Sequence, residues 1–246
     1  MADRPILLVT GGSRGIGAAV SKLAGARGFD VAVNYKQDAK AAANVVDDVK
    51  KSGGRAVAVQ GDMSNEADVA RVFETIDKEL GRLTHLVYNS GIAGKMSRVE
   101  VMETQALREV FDLNVIGAFF AARAAIPRIS TKHGGKGGAM VLISSVAATL
   151  GSPGVYVWYA ASKGAIDTMT KGLSLELVDD NIRVNAVTPG LIDTEINEPA
   201  RVAQILSMIP MKRIGSPLEL AESVVFLLSD AASYITGANL RVSGGR

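Results

Sequence analysis

The chain contains no cysteine and only two histidines, His85 and His133. Without cysteine there is no disulfide scaffold, no thiol nucleophile and no thiolate metal site. Two histidines outside any HExxH-like spacing argue against a histidine-rich metal centre and a Ser-His-Asp triad. Neither sign of charge dominates, since 27 basic and 25 acidic residues leave a net charge of +2. Aromatics make up only 5%, and no basic stripe runs between them, so nothing invites nucleic acid. No uncharged apolar run reaches the roughly 18 residues of a membrane span. Met1-Ala2-Asp3-Arg4-Pro5 runs straight into an apolar segment without the cleavage region of a secretory signal. These absences predict a cytoplasmic chain with neither membrane nor nucleic-acid partners.

What is present is 48% hydrophobic and 21% charged, enough to build a sizeable core. At about 150 residues per domain, 246 residues allow one large domain or two small ones. The 26 glycines exceed the usual ~7% without a collagen period, which points to tight turns or close backbone approaches.

Short β-branched runs alternate with alanine-rich amphipathic stretches. Strands are expected at 6–9, 31–33, 56–59, 85–88, 139–143, 183–187 and 239–242. Helices are expected at 16–27, 39–51, 66–80 (closed by Gly81), 101–129, 158–178 and 217–228. Fully apolar strands require a sheet covered on both faces. The alternation therefore predicts one domain over 1–246, an α/β doubly wound parallel sheet of seven strands in the order 3-2-1-4-5-6-7. The run His133-Gly134-Gly135-Lys136-Gly137-Gly138 reads either as a flexible surface turn or as a docking loop.

Thr10-Gly11-Gly12-Ser13-Arg14-Gly15-Ile16-Gly17 joins the first strand to the first helix. Glycines let backbone N–H groups approach a pyrophosphate, and the helix N-terminus adds partial positive charge. At the end of strand two, Asn34, Tyr35 and Lys36 stand where an NAD site usually carries an acid. Arg14 and Lys36 can neutralise a 2′-phosphate, so NADP(H) is favoured over NAD(H); the alternative makes Lys36 a solvated surface charge. Asp62, followed by Met63, lies where an adenine would sit. It is also a possible helix cap, although Ser64 reads as the better one.

Tyr159-Ala160-Ala161-Ser162-Lys163 puts a tyrosine and a lysine on one helical face. A free tyrosine, with a pKa near 10, is a poor acid or base at neutral pH, and a neighbouring ammonium favours its phenolate. Ser144-Ser145 ends strand five at the carboxyl edge, where open α/β sheets hold ligands. Asn114 sits mid-helix, a position that suits a polar task such as holding a water beside Lys163.

With these marks in order, and with Asn89-Ser90-Gly91, Asn185, Pro189-Gly190 and Thr194, the chain resembles the short, single-domain branch of the short-chain dehydrogenase/reductases. The resemblance covers nearly the whole length and implies a Rossmann fold. It implies a catalytic tetrad of Asn114, Ser145, Tyr159 and Lys163. Tyr159 would be the acid/base, Lys163 would bind the nicotinamide ribose, Ser145 would orient the substrate oxygen, and Asn114 would complete a proton relay. Cofactor contacts would come from Gly11, Ser13, Arg14, Gly15, Ile16, Gly17, Asn34, Lys36, Asp62, Met63, Asn89, Gly91, Tyr159, Lys163, Pro189, Gly190, Ile192 and Thr194, with no metal. The family's usual assembly is a homotetramer joined by the helices at 101–129 and 158–178. One departure is Tyr88, which replaces the first asparagine of Asn-Asn-Ala-Gly.

The expected function is NADP(H)-linked hydride transfer to or from a small carbonyl or secondary alcohol. Alternatives are a 3-oxoacyl-carrier-protein reductase, a sugar or polyol dehydrogenase, and, outside enzymes, an NADPH-sensing regulator. Lys132, His133 and Lys136 would form a basic docking surface for an acidic carrier, opposed by Asp179 and Asp180. Substrate loops are expected near 92–98, 150–157 and 191–212, the last as a lid. Trp158 fits either a pocket wall or a subunit contact.

Overall fold

The computed structural model describes residues 4–194 and 199–246, without the side chains of 199–201. Met1, Ala2 and Asp3 of the N-terminal run, and 195–198 of the expected lid, lie outside the described residues.

Seven parallel strands form one sheet: β1 (Ile6–Val9), β2 (Asp30–Tyr35), β3 (Ala56–Gln60), β4 (His85–Tyr88), β5 (Gly138–Ile143), β6 (Ile182–Pro189) and β7 (Asn239–Val242). Their order is β3-β2-β1-β4-β5-β6-β7, as expected. Side chains alternate across a strand, so neighbours in sequence feed opposite layers. Ile6 and Leu8 join Phe73, Leu86 and Met140 on one face, while Leu7 and Val9 join Val20, Val45 and Val224 on the other. The first layer is closed by α3 (Glu66–Glu79), α5 (Gly117–Ile129) and α7 (Val157–Glu176). The second is closed by α1 (Gly15–Ala26), α2 (Ala39–Lys51) and α9 (Pro217–Leu228). Short helices α4 (Thr104–Phe111), α6 (Ala147–Leu150) and α8 (Pro199–Leu206) complete the chain.

The stretch expected as one helix over 101–129 is divided. A 3-10 turn at Val99–Val101 precedes α4, and a π-turn at Asp112–Ile116 separates α4 from α5. The unit Thr104–Ile129 is long and apolar enough by composition to cross a membrane, with a mean hydropathy of 1.4. Its alanine face, Ala118, Ala121, Ala122 and Ala125, is buried in the core, which makes it a core helix of this domain. The cap of α3 also differs from expectation. Asn65 accepts the Asp68 N–H at 3.0 Å, and Ser64 instead bonds Asp62.

The glycine run after α5 is built into the fold. A Cβ on Gly138 would lie 1.9 Å from the Thr84 carbonyl oxygen, and one on Gly135 would lie 2.3 Å from that of Ile129. Neither backbone can yield without parting the strands or the helix end. Lys132 is tied to Asp180 at 2.8 Å, so it is engaged within the chain rather than held out for a carrier.

Candidate active site

The C-terminal ends of the strands converge on the phosphate loop. Gly11 and Gly15 hold φ of +59° and +51°, a region that L side chains rarely adopt. A Cβ on Gly17 would lie 2.3 Å from the Gly11 carbonyl oxygen, so only glycine lets α1 start this close to the loop. Asp38, Asn65 and Ser216 cap α2, α3 and α9. At α1 the N-cap is Arg14, with no capping side chain and no acid in the first turn among the described residues. Its first N–H groups are thus left for an anion, which fits the pyrophosphate of a dinucleotide. Arg14 is exposed beside half-buried Ser13 and Ile16. The Thr194 methyl would lie 3.3 Å from a Cβ on Gly15, so the segment after β6 closes over the loop.

Two of the residues expected at the cofactor, Asn34 and Asn89, brace the loop through their side chains. The Asn34 side chain is buried; it accepts the Gly11 N–H at 3.1 Å and donates to the Gly61 and Val59 carbonyls. The Asn89 amide donates to the Thr10 and Gly11 carbonyls at 3.0 and 3.1 Å. Thr10, which the sequence did not single out for a role of its own, accepts the Asn89 and Ser90 N–H groups. Met63 and Ile192 are buried, their side chains packed in the hydrophobic core. Pro189 ends β6, and Gly190 admits Ser243, whose Cα would stand 2.8 Å from a Cβ there. Asn185 clamps the segment before β7 through the Ile235 carbonyl and the Ala238 N–H.

Of the four residues expected as a tetrad, Lys163 reaches the end of β5, Ser145 follows that strand, and Asn114 is linked to the backbone of Tyr159 through Ser162. Lys163 is buried; its Nζ donates to the Ile143 carbonyl at 2.8 Å and lies 5.8 Å from the centroid of the Tyr159 ring. Burial pulls its ammonium down to about 8, against the opposing charge of Asp167. Ser144 is buried, with its hydroxyl on the Lys163 carbonyl. Ser145 is half-buried and accepts the Ala147 N–H at 3.1 Å. Asn114 lies in the π-turn, where its Oδ1 accepts the Ile92 N–H and its Nδ2 donates to the Ile92 carbonyl and to Ser162. Ser162 in turn donates to the Tyr159 carbonyl at 2.8 Å. With both amide hydrogens engaged, Asn114 has none to give a water. A Cβ on Gly91 would sit 3.2 Å from Asn114 Oδ1 and 3.3 Å from Lys163 Nζ, so glycine keeps this corner open.

Trp158 is buried and donates from Nε1 to the Ala93 carbonyl at 3.0 Å. Ser97 N–H reaches the Val155 carbonyl, joining the loops expected at 92–98 and 150–157. Trp158 thus packs against the loop that follows β4. In the 191–212 segment, Ile209 is buried while Met208 and Met211 are exposed.

A family model described as Enoyl-(Acyl carrier protein) reductase matches residues 11–246. The chain is 48% identical over 245 residues to the uncharacterized oxidoreductase YgfF of Escherichia coli, covering 98% of this chain and 99% of that protein. It is 40% identical over 243 residues to glucose 1-dehydrogenase 2 of Bacillus subtilis, covering 97% and 93%. A short chain dehydrogenase from Burkholderia cenocepacia, solved in complex with NADP, superposes with a TM-score of 0.92 at 32% identity, over 99% of this chain and 97% of that one. The chain belongs to the short-chain dehydrogenase/reductase family of oxidoreductases.

Proposed function

We propose that the chain is an NADP(H)-dependent enzyme interconverting a small carbonyl compound and its secondary alcohol. When bound, the nicotinamide supplies or accepts the hydride. Tyr159 gives its phenolic proton to the carbonyl oxygen during reduction and withdraws it during oxidation. The Lys163 ammonium offsets the negative charge that develops on the phenolate. Ser145 orients the substrate oxygen. Asn114 locks the turn of α7 bearing Tyr159 to the loop after β4, through Ser162 and Ile92. Arg14 and Lys36 hold the 2′-phosphate, and α1 receives the pyrophosphate.

The observation that carries this reading is the buried Lys163 ammonium lying over the Tyr159 ring at the end of β5. A buried charge is retained where a partner or a reaction uses it. The binding of NADP by the Burkholderia relative supports the cofactor assignment. Exposed Ile116, Phe119 and Leu175 lie on the two helices that the resemblance places between subunits, which supports a homotetramer. The test is NADPH consumption across a carbonyl panel by wild type and Tyr159→Phe. Wild type is expected to turn over at least one substrate, and the variant to lose at least about a hundredfold in kcat while still binding NADPH. Unimpaired turnover by Tyr159→Phe overturns the assignment.

A further inference from the structure

The helix carrying Asn114 changes its winding at that residue. The Gly117 N–H donates to the Asp112 carbonyl five residues back, whereas a regular α-helix would use the Leu113 carbonyl four residues back. A π-turn of this kind persists where something outside the helix compensates for it. Here the compensation comes from β4. The Tyr88 hydroxyl donates to the Leu113 carbonyl at 2.5 Å. Tyr88 is the last residue of β4 and is buried in the core. Its tip reaches the helix because residue 117 is glycine. A Cβ there would lie 2.5 Å from the Tyr88 hydroxyl oxygen and 2.4 Å from the Met63 carbonyl oxygen.

Asn114 follows Leu113 directly, and its amide joins Ile92 to Ser162 and so to the backbone of Tyr159. We propose that Tyr88 is a positioning residue for Asn114: its hydroxyl pins the Leu113 carbonyl and thereby sets where the Asn114 amide meets Ile92 and Ser162. The inference rests on the proposed catalytic role of Tyr159 and on the proposed role of Asn114 in holding it.

The test is a double-mutant cycle of wild type, Tyr88→Phe, Asn114→Ala and the double variant, with kcat on a turned-over carbonyl and the Kd for NADPH as readouts. Phenylalanine keeps the ring in the core and removes one oxygen. Tyr88→Phe is expected to lower kcat about tenfold, the scale of one net hydrogen bond, with the Kd for NADPH changed less than twofold. Added to Asn114→Ala, it is expected to change kcat less than twofold, because the two act through one group. A wild-type kcat in Tyr88→Phe overturns the proposal, as does a loss that multiplies fully with that of Asn114→Ala. A merely structural role would produce the second result. If Asn114→Ala itself keeps a wild-type kcat, the proposed role of Asn114 in holding Tyr159 falls, and the proposal with it.

Discussion

Lys36 and Asp62 face each other at 2.6 Å just beyond the ends of β2 and β3. Burial pushes the Asp62 carboxyl up, but hydrogen bonds from Lys36 and Ser64 outweigh it and hold the group below its ordinary value. The pair neutralises a carboxylate that would repel a 2′-phosphate, and on the proposed reading Lys36 also offers that phosphate its positive charge. Arg14→Ala combined with Lys36→Ala is expected to weaken NADPH binding at least about tenfold more than NADH binding. Fluorescence titration at fixed ionic strength reads this, since salt screens exposed charges, and equal losses for the two cofactors refute the assignment. At this scale the sequence places residues along the strands and their ends more readily than it says how their polar atoms are used. Asn34, Asn89, Met63 and Ile192 all fall beside the phosphate loop or just beyond the strand ends. Their side chains are committed to the backbone or the core, because spacing says where a residue sits along a strand and not which way its polar atoms are used.

At the scale of elements, the strand order and nearly every boundary were legible, since apolar runs of strand length between glycine turns leave few alternatives. The break at Asp112–Ile116 was not. One extra residue in a helical turn barely disturbs an apolar periodicity, and the group that stabilises it, the Tyr88 hydroxyl, comes from another element. The glycine run was equally opaque, because its cause is the approach of Thr84 and Ile129. Its glycines are expected to be unequal. Gly138→Ala should cost about 3 kcal/mol by overpacking. Gly134 has φ of +78° and meets only Arg82 at 3.6 Å, so Gly134→Ala should cost about 1 kcal/mol. Urea denaturation of the two variants ranks them, and a neutral Gly138→Ala would mean that the turn is as loose as its composition suggested.

For the whole molecule, acid stability is set partly at the opposite end of the sheet from the site. His85 begins β4, with Nδ1 2.8 Å from the Thr84 hydroxyl and its ring edge-on to Phe29. Burial, with the Arg183 charge adding, lowers its pKa from 6.5 to about 4, against the Leu228 carbonyl and the Asp230 charge. Between those values the unfolded chain binds the proton that the folded chain refuses. Stability is thus present in full above pH 6.5 and is lost as the pH falls toward 4. Within that window His85→Asn is expected to flatten the dependence by up to about 1.4 kcal/mol per pH unit. Denaturation at pH 7, 6 and 5 checks the slope; an identical slope in wild type and variant removes His85 from the account.

The indole bonded to Ala93 has an optical consequence. Trp158 is the chain's one tryptophan, and it stands next in sequence to Tyr159. Its emission overlaps the absorption of reduced nicotinamide, so excitation of the indole would pass to a cofactor seated nearby. The unaltered protein carries its own reporter, in which quenched indole light and sensitised nicotinamide light record occupancy of the site without any added label.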